Sequence, residues 1–466
     1  MKKNHINYLP FYGRIKKIHF IGIGGIGMSG IAEILISLGL KIYGSDLKNN
    51  DITNRLAGLG AKIMIGHKTK NIYNVDVVVI SSSISNNNPE IIEAKKRGIT
   101  IIPRAKMLAE LMRLKYGIAI SGSHGKTTTT SLISAVMQYA NIDPTVLIGG
   151  IVNHIGSNAR LGQGNFLVAE ADESDGSFLH IMPNIAVFTN LDKEHLDFYK
   201  DGINKLKTEF IYFANRLPFY GLLVACIDCP NINEILPKIK SRITTYSIDN
   251  NADFKATNII YTKFSTNFIL KKKRKIIGNI NIKLSGKHNV LNTLAAIALC
   301  YELGISFKTI YKGLIFFTGI QRRFQIIGKK NNILIVDDYA HHPTEIKAVL
   351  KAAKDTLHKK RLIILFQLHK FSRTRDLFNE FIHCFNLADK AIITDIYPAF
   401  EKPIKDISAL ILCERIKKQG YKNVIYGGNL GKSIIKILKI SKINDVIITL
   451  GAGSISYAAK EILTKL

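Results

Sequence analysis

The residues with the clearest chemistry lie in Ile118-Ala119-Ile120-Ser121-Gly122-Ser123-His124-Gly125-Lys126-Thr127-Thr128-Thr129-Thr130. The apolar run predicts a buried strand, a turn punctuated by two glycines follows, and Ser131 to Met137 predicts the start of a helix. Strand, glycine loop, Lys-Thr and helix form the context that cradles a polyphosphate. Glycines let phosphate oxygens approach the backbone, and the N–H groups at a helix start point at the anion with the helix dipole behind them. In such a loop Lys126 reaches the β- and γ-phosphates and the Thr127 hydroxyl ligates Mg²⁺. The full pattern G-x-x-x-x-G-K-[ST] wants a glycine at position 120, where Ile120 stands, so the loop is the shorter Gly122-x-x-Gly125-Lys126-Thr127. The bland alternative, a surface loop that happens to carry Gly-Lys-Thr, sits poorly with the strand before it and the helix after.

A second phosphate-type signal stands near the N-terminus. Residues 16–23 predict a strand, Gly22-x-Gly24-x-x-Gly27 opens a helix through Leu38, and Lys41 to Asp46 predicts the next strand. Asp46 follows Gly24 by 22 residues, the spacing at which a carboxylate meets a ribose hydroxyl in Rossmann-type units. Val75–Ile80 is a further strand, with Ser81, Ser82 and Ser83 at its carboxyl end, where ligands sit in open α/β sheets. Downstream of the phosphate loop, strand Phe166–Ala169 runs into Glu170, Asp172, Glu173 and Asp175, which suits Mg²⁺ or a solvated acidic turn. Strand Ile185–Phe188 runs into Asn190-Leu191-Asp192-Lys193-Glu194-His195, where the histidine is as readily structural as catalytic. His288, Asn289 and Asn292 open a helix and offer either a base-edge contact or helix caps. Adjacent His341 and His342 point opposite ways on an extended segment, which argues against one shared ion.

These residues need a large α/β scaffold, and the chain can supply one. Its 466 residues predict about three domains. A boundary within 110–116 and another near Gln321-Arg322-Arg323-Phe324 divide it into 1–114, 115–321 and 322–466. Residues 220–285 read as β-rich. After residue 322, strands at Ile333–Val336, Leu362–Phe366, Ala391–Thr394 and Val446–Leu450 alternate with helices. The expected fold is therefore α/β in three domains: an N-terminal Rossmann-like unit, a central P-loop ATPase-type unit with a mostly parallel sheet, and a C-terminal Rossmann-like unit.

Composition narrows the class. No run of 18 or more uncharged apolar residues appears and no signal peptide is recognisable, which predicts a cytoplasmic protein without membrane insertion. The net charge of +30 invites nucleic acid, but the lysines are scattered and no aromatic-interleaved basic groove stands out, so no nucleic-acid partner is expected. The densest run, Lys271–Lys275, reads as a hairpin turn or solvated loop. Five scattered cysteines exclude a disulfide framework, and Cys226-x-x-Cys229 lacks the second pair of a structural zinc site.

Taken together the motifs closely resemble the Mur ligase family over nearly the whole chain. In order they are Gly22 to Ala32, Gly122 to Thr128, Glu170 to Asp175, Asn190 to Asp197, His288 to Asn292, Arg322-Arg323-Phe324, Asp337-Asp-Tyr-Ala-His-His-Pro-Thr-Glu345, Thr394 to Pro398 and Leu450 to Ser454. The shortened phosphate loop is a trait of that family. The segment Asp337–Glu345 resembles members that join L-alanine to UDP-N-acetylmuramate, or relatives that attach a preformed tripeptide to the same sugar. Two stretches depart from the pattern. Phe366-Gln-Leu-His-Lys370 stands where the family has Phe-Gln-Pro-His-Arg, which keeps the charge at Lys370 but loses the bidentate fork. Tyr397-Pro-Ala-Phe-Glu401 carries Phe400 in place of a glycine.

The resemblance implies ATP-driven amide formation through an acyl phosphate, in peptidoglycan precursor synthesis, by a monomer or homodimer. It implies that Gly122, Ser123, His124, Gly125, Lys126, Thr127 and Thr128 hold the nucleotide phosphates. Thr127 and Glu170 would ligate the nucleotide Mg²⁺, and His195 a second Mg²⁺ beside the substrate carboxylate. Asn292 and His288 would meet the adenine, and Arg323 the γ-phosphate. Gly24, Gly25, Gly27, Asp46 and Ser82 would hold the UDP-sugar. Arg373, with Tyr339, His341 and Lys370, would bind the incoming alanine, and the last domain would close over the middle one. Two rivals of other classes are a nicotinamide-dependent dehydrogenase, which leaves the second phosphate loop idle, and a basic nucleic-acid translocase.

Overall fold

Runs such as Val77-Val78-Val79-Ile80 and Leu362-Ile363-Ile364-Leu365-Phe366 are short, β-branched or aliphatic, and apolar on both faces. Such segments suit parallel strands covered by helices on each side. In the computed structural model they do this in three sheets. The structure describes residues 13–152, 156–174, 176–192, 199, 202–262, 264–357, 360–399 and 401–466.

Among the described residues the first sheet has five parallel strands in the order Lys62–Ile65, Lys41–Asp46, Lys17–Ile21, Val77–Ile80 and Thr100–Pro103. The strand order reverses between Lys17–Ile21 and Val77–Ile80. Their carboxyl ends therefore open a crevice between Gly22 and Ser81–Ser83, the switch point at which open α/β sheets bind ligands. Helix Ile26–Ser37 follows the glycine loop and buries Met28, Ile31, Ile34 and Leu35.

The second sheet runs Lys275–Ile282, Ser265–Lys272, Phe254–Thr262, Arg242–Ser247, Leu222–Cys226, Ile185–Phe188, Tyr116–Ser121, Phe166–Glu170, Thr145–Val152 and Ser157–Arg160. Strand Tyr116–Ser121 lies between Ile185–Phe188 and Phe166–Glu170, in parallel register with both. Ile118, Ala119 and Ile120 are fully buried there. Position 120 is thus a core position of the strand, which is why an isoleucine and not a loop glycine occupies it. The helix that follows begins at Lys126 and runs to Tyr139, so Ser131–Met137 is its middle and not its start. Four consecutive threonines are weak helix formers, but Thr127 to Thr130 are all buried and packing overrides the propensity. The basic run at 271–275 is a hairpin turn: Lys273 and Arg274 both take left-handed φ (44° and 70°) between two strands.

The third sheet runs Gln325–Lys330, Ile333–Asp338, Val446–Leu450, Leu362–His369, Lys390–Tyr397 and Val424–Gly428, with the first strand antiparallel. Val336, Ile364, Phe366, Ile393 and Ile448 form its core on one face, and Ile335, Ile363, Leu365, Ile392 and Ile447 on the other. The architecture is the expected three-domain α/β one with mostly parallel sheets. By contacts the chain divides into two compact units. One runs through Thr257 and adds Ile269–Gly278 and Leu291–Thr318; the other comprises Asn258–Phe268, Asn279–Val290 and Gly319–Leu466. No helix among the described residues is long and apolar enough to cross a membrane.

Candidate active site

The phosphate loop is held open by its own backbone and by a facing segment. Gly122 (φ 137°) and Gly125 (φ 82°) take left-handed conformations that favour glycine. A Cβ on Gly122 would stand 2.2 Å from Thr189 Oγ1, and one on Gly125 would stand 2.3 Å from Asn292 Oδ1. Segment Thr189–Asp192 clasps the loop. Ser123 N–H donates to the Asn190 carbonyl at 3.2 Å, and His124 N–H to Asn190 Oδ1 at 2.8 Å. Thr189 Oγ1 and Asn190 Nδ2 donate to the His124 carbonyl at 2.7 and 2.9 Å. Asp192 N–H donates to Ser123 Oγ at 2.9 Å, and the Asp192 carboxylate lies 3.4 Å from His124 Nε2. Cys229 supports the clasp from behind, its Sγ accepting from Leu191 N–H at 3.2 Å. Its motif partner Cys226 is buried in a strand, and burial pushes that thiol up to about 12.

Helix Lys126–Tyr139 begins without a side-chain cap, so its first-turn N–H groups face the loop. Lys126 Nζ donates to the Gly122 carbonyl at 2.6 Å and to both oxygens of Glu173 at 2.9 Å. Glu173 is fully buried, and burial lifts its carboxyl to about 7 against the pull of Lys126. Glu170 ends the neighbouring strand in register with Ile120 and accepts Gly149 N–H at 2.7 Å. Thr127 and Thr128 are buried in the first turn of the helix. Asn292 accepts from Thr129 Oγ1 at 3.3 Å; His288 lies one helical turn earlier in Lys287–Glu302, on the same face.

The N-terminal glycine loop is built the same way. Gly22 and Ile23 donate to the Ser45 carbonyl at 2.8 and 3.0 Å, and Gly24 N–H donates to Asp46 Oδ2 at 2.8 Å. Helix Ile26–Ser37 starts at Gly25 with no side-chain cap. The Arg104 guanidinium lies over that start, 3.1 Å from where a Gly27 Cβ would be. It places a cation beside an uncapped helix N-terminus, a combination suited to a diphosphate. Ser82 is exposed at the end of Val77–Ile80.

In the second unit, strand Ile333–Asp338 leads to Tyr339 and His341, strand Leu362–His369 leads to Lys370 and Arg373, and Arg322 and Arg323 precede strand Gln325–Lys330. Arg322 Nε donates to Asp337 at 3.0 Å. Phe324 and Ala340 N–H groups donate to Asp338 at 2.6 and 2.7 Å; burial raises that carboxyl to about 6, with Arg323 opposing. The guanidinium groups of Arg322 and Arg323 lie 5.0 and 5.4 Å from the Tyr339 ring. Tyr339, His341, His369 and Tyr397 form a continuous aromatic row, with centroids 5.3, 6.0 and 5.6 Å apart. His341 Nδ1 lies 3.1 Å from the Tyr339 carbonyl, which only accepts, so the proton belongs on Nδ1 and Nε2 is left as an acceptor. Burial, then Arg373, holds His341 well below the usual range, and the same causes hold His369 at about 4. Arg373 is bound to His369 through Nη1. Lys370 takes a left-handed φ of 72° and donates its N–H to the Tyr397 carbonyl at 2.9 Å. Glu401 accepts from Ser372 N–H and Oγ at 2.9 and 2.6 Å, tying down helix Phe371–Asp376.

Three family models cover the chain in order: the Mur ligase family catalytic domain over residues 17–116, the Mur ligase middle domain over 120–300, and the Mur ligase glutamate ligase domain over 322–453. A relative from Geotalea uraniireducens named UDP-N-acetylmuramate–L-alanine ligase is 54% identical over 98% of this chain and 99% of its own. The chain belongs to the Mur ligase family. A Geobacter sulfurreducens relative of the same name is 52% identical over 98% of each chain. Among solved structures, the UDP-N-acetylmuramate–alanine ligase of Thermotoga maritima is 28% identical with a TM-score of 0.83, covering 96% of this chain and 98% of that one. A murein peptide ligase from Psychrobacter arcticus is 26% identical with a TM-score of 0.71, over 96% and 98%.

Of the residues expected from sequence, Gly122 to Thr128, Glu170 and Asn292 gather at one loop, and Gly24, Gly25, Gly27 and Asp46 at another. Tyr339, His341, Arg373 and Lys370 gather in the second unit, where Arg323 borders Tyr339. His195 and Phe400 lie outside the described residues. Sequence reading missed Glu173 as the partner of Lys126, the clasp at Asn190 and Asp192, Arg104, and His369. Asn190, Asp192 and Glu173 sat inside motifs that were recognised, so the strand-end position was their available signal. Arg104 carried none.

Proposed function

We propose that this Mur ligase joins L-alanine to the carboxylate of UDP-N-acetylmuramate, driven by ATP, in peptidoglycan precursor synthesis. The observation that carries this reading is the 54% identity, over 98% of the chain, to a relative bearing that activity as its name. The intact phosphate loop supports it. The tripeptide-adding alternative is weaker, since the murein peptide ligase matches with a TM-score of 0.71 against 0.83 for the alanine ligase of Thermotoga maritima. The dehydrogenase and nucleic-acid readings leave the second phosphate loop or the aromatic row without a use.

A carboxylate is a poor acyl donor because its leaving group would be an oxide. The γ-phosphoryl of ATP passes to a carboxylate oxygen, ADP leaves, and the acyl phosphate gains a good leaving group. The alanine amine attacks the acyl carbon, loses its proton, and the tetrahedral adduct expels phosphate. The protein's tasks are alignment and charge neutralisation. Lys126 and the uncapped helix start bind the β- and γ-phosphates. The loop suits phosphate: Gly122 and Gly125 hold left-handed conformations against Thr189 and Asn292, and the helix that follows starts without a side-chain cap, leaving first-turn N–H groups for the anion. Thr127 and Glu170 offer the hard oxygen donors that Mg²⁺ prefers, and that ion when bound would neutralise phosphate charge. Asn292 and His288 meet the adenine. The loop Gly22–Gly27, with Arg104, Asp46 and Ser82, holds the UDP. Arg373 takes the alanine carboxylate in its guanidinium fork, and neutral His341 and Tyr339 orient the amine. Residues 1–114, 115–321 and 322–466 thereby divide the work among UDP-sugar, nucleotide and amino acid. The enzyme acts in the cytoplasm, where its nucleotide substrates are made. Mass spectrometry of the product tests this: UDP-N-acetylmuramoyl-alanine is expected from UDP-N-acetylmuramate, L-alanine and ATP. Its absence would sink the proposal.

A further inference from the structure

An ammonium group has three N–H donors. Among the described residues those of Lys126 reach the Gly122 carbonyl at 2.6 Å and the two Glu173 oxygens at 2.9 Å each. An arriving phosphate oxygen must therefore displace one of these bonds. The Gly122 carbonyl belongs to the loop itself and moves only with it, whereas the Glu173 carboxylate sits on a different segment, 47 residues away. We propose that Glu173 is a built-in anion that occupies the Lys126 ammonium until a polyphosphate displaces it, and so sets the nucleotide affinity of this loop. The inference rests on the nucleotide reading of Gly122–Thr128.

The surroundings fit such a latch. Glu173 is fully buried while Lys126 keeps 15% of its side-chain surface, so the lysine faces the open loop and the acid lies behind it. The Tyr199 hydroxyl donates to the Glu173 carbonyl at 2.5 Å and fixes the backbone from which the carboxylate reaches. Asp172 adds a second negative charge nearby, and it disfavours a permanently ionised Glu173. A pair made only for stability would gain more from apolar packing at this depth.

Isothermal titration of ADP into the full chain and into Glu173→Gln tests the proposal. The amide keeps the shape but removes the competing charge, so ADP should bind roughly tenfold more tightly to the variant. If Glu173→Gln does not fold, Glu173→Asp withdraws the carboxylate from Nζ, and tighter binding is expected there as well. Equal or weaker ADP binding by the folded variant overturns the latch. Failure of the native chain to bind ADP at all overturns instead the nucleotide reading beneath it.

Discussion

Arg373 Nη1 lies 3.2 Å from His369 Nδ1. A guanidinium only donates, so Nδ1 carries a lone pair and the imidazole is neutral. Burial, Arg373 and Lys370 together hold His369 at about 4, against 6.5 for a free imidazole. The native state thus binds fewer protons than the unfolded chain between those values. His369 therefore costs stability as pH falls from about 6.5 toward 4, and contributes nothing to pH dependence above that window. Thermal unfolding at intervals from pH 7.5 to 4.5 checks this. His369→Asn should flatten the acid slope, and an unchanged slope would refute the assignment.

The Gly125 position makes a second prediction. Its φ of 82° strains any side chain, and a Cβ there would have to push the Asn292 amide aside. Gly125→Ala should destabilise the fold by about 1–3 kcal/mol and abolish ADP binding. Thermal unfolding and ADP titration read the two effects separately. Normal nucleotide affinity in this variant would show that the loop does not bind phosphate.

Lys126→Ala removes the cation from the phosphate loop but touches nothing at Gly22–Gly27. Turnover should vanish while UDP-N-acetylmuramate still binds, as measured by titration. Loss of both would argue against two separate sites.

Asp46→Ala strips the acceptor from Gly24 N–H, a charge-assisted bond of 2.8 Å. The KM for UDP-N-acetylmuramate should rise about tenfold. The KM values for ATP and L-alanine should hold steady. A parallel rise in all three would mean that Asp46 is merely structural.

Local patterns were enough to read the strand-loop-helix units, because glycine spacing and apolar runs are set by neighbours in sequence. Strand Val446–Leu450 matches expectation to the residue, and strand Phe166–Glu170 runs one residue past the expected Phe166–Ala169. The helix start at Lys126 was not legible, since threonine propensity points the other way and only burial in the central domain corrects it. Edge strands Gln325–Lys330 and Val424–Gly428 were missed because their glycines and lysines dilute the apolar signal. The Lys126–Glu173 pair and the His369–Arg373 contact depend on how separate segments meet. Spacing carried the first only as far as a cluster of acids, and the second only as an altered family stretch.

The most direct test is phosphate release from the purified chain with ATP and Mg²⁺. Turnover is expected only when UDP-N-acetylmuramate and L-alanine are both present. Turnover with alanine omitted and a tripeptide supplied, or release that needs neither substrate, would contradict it.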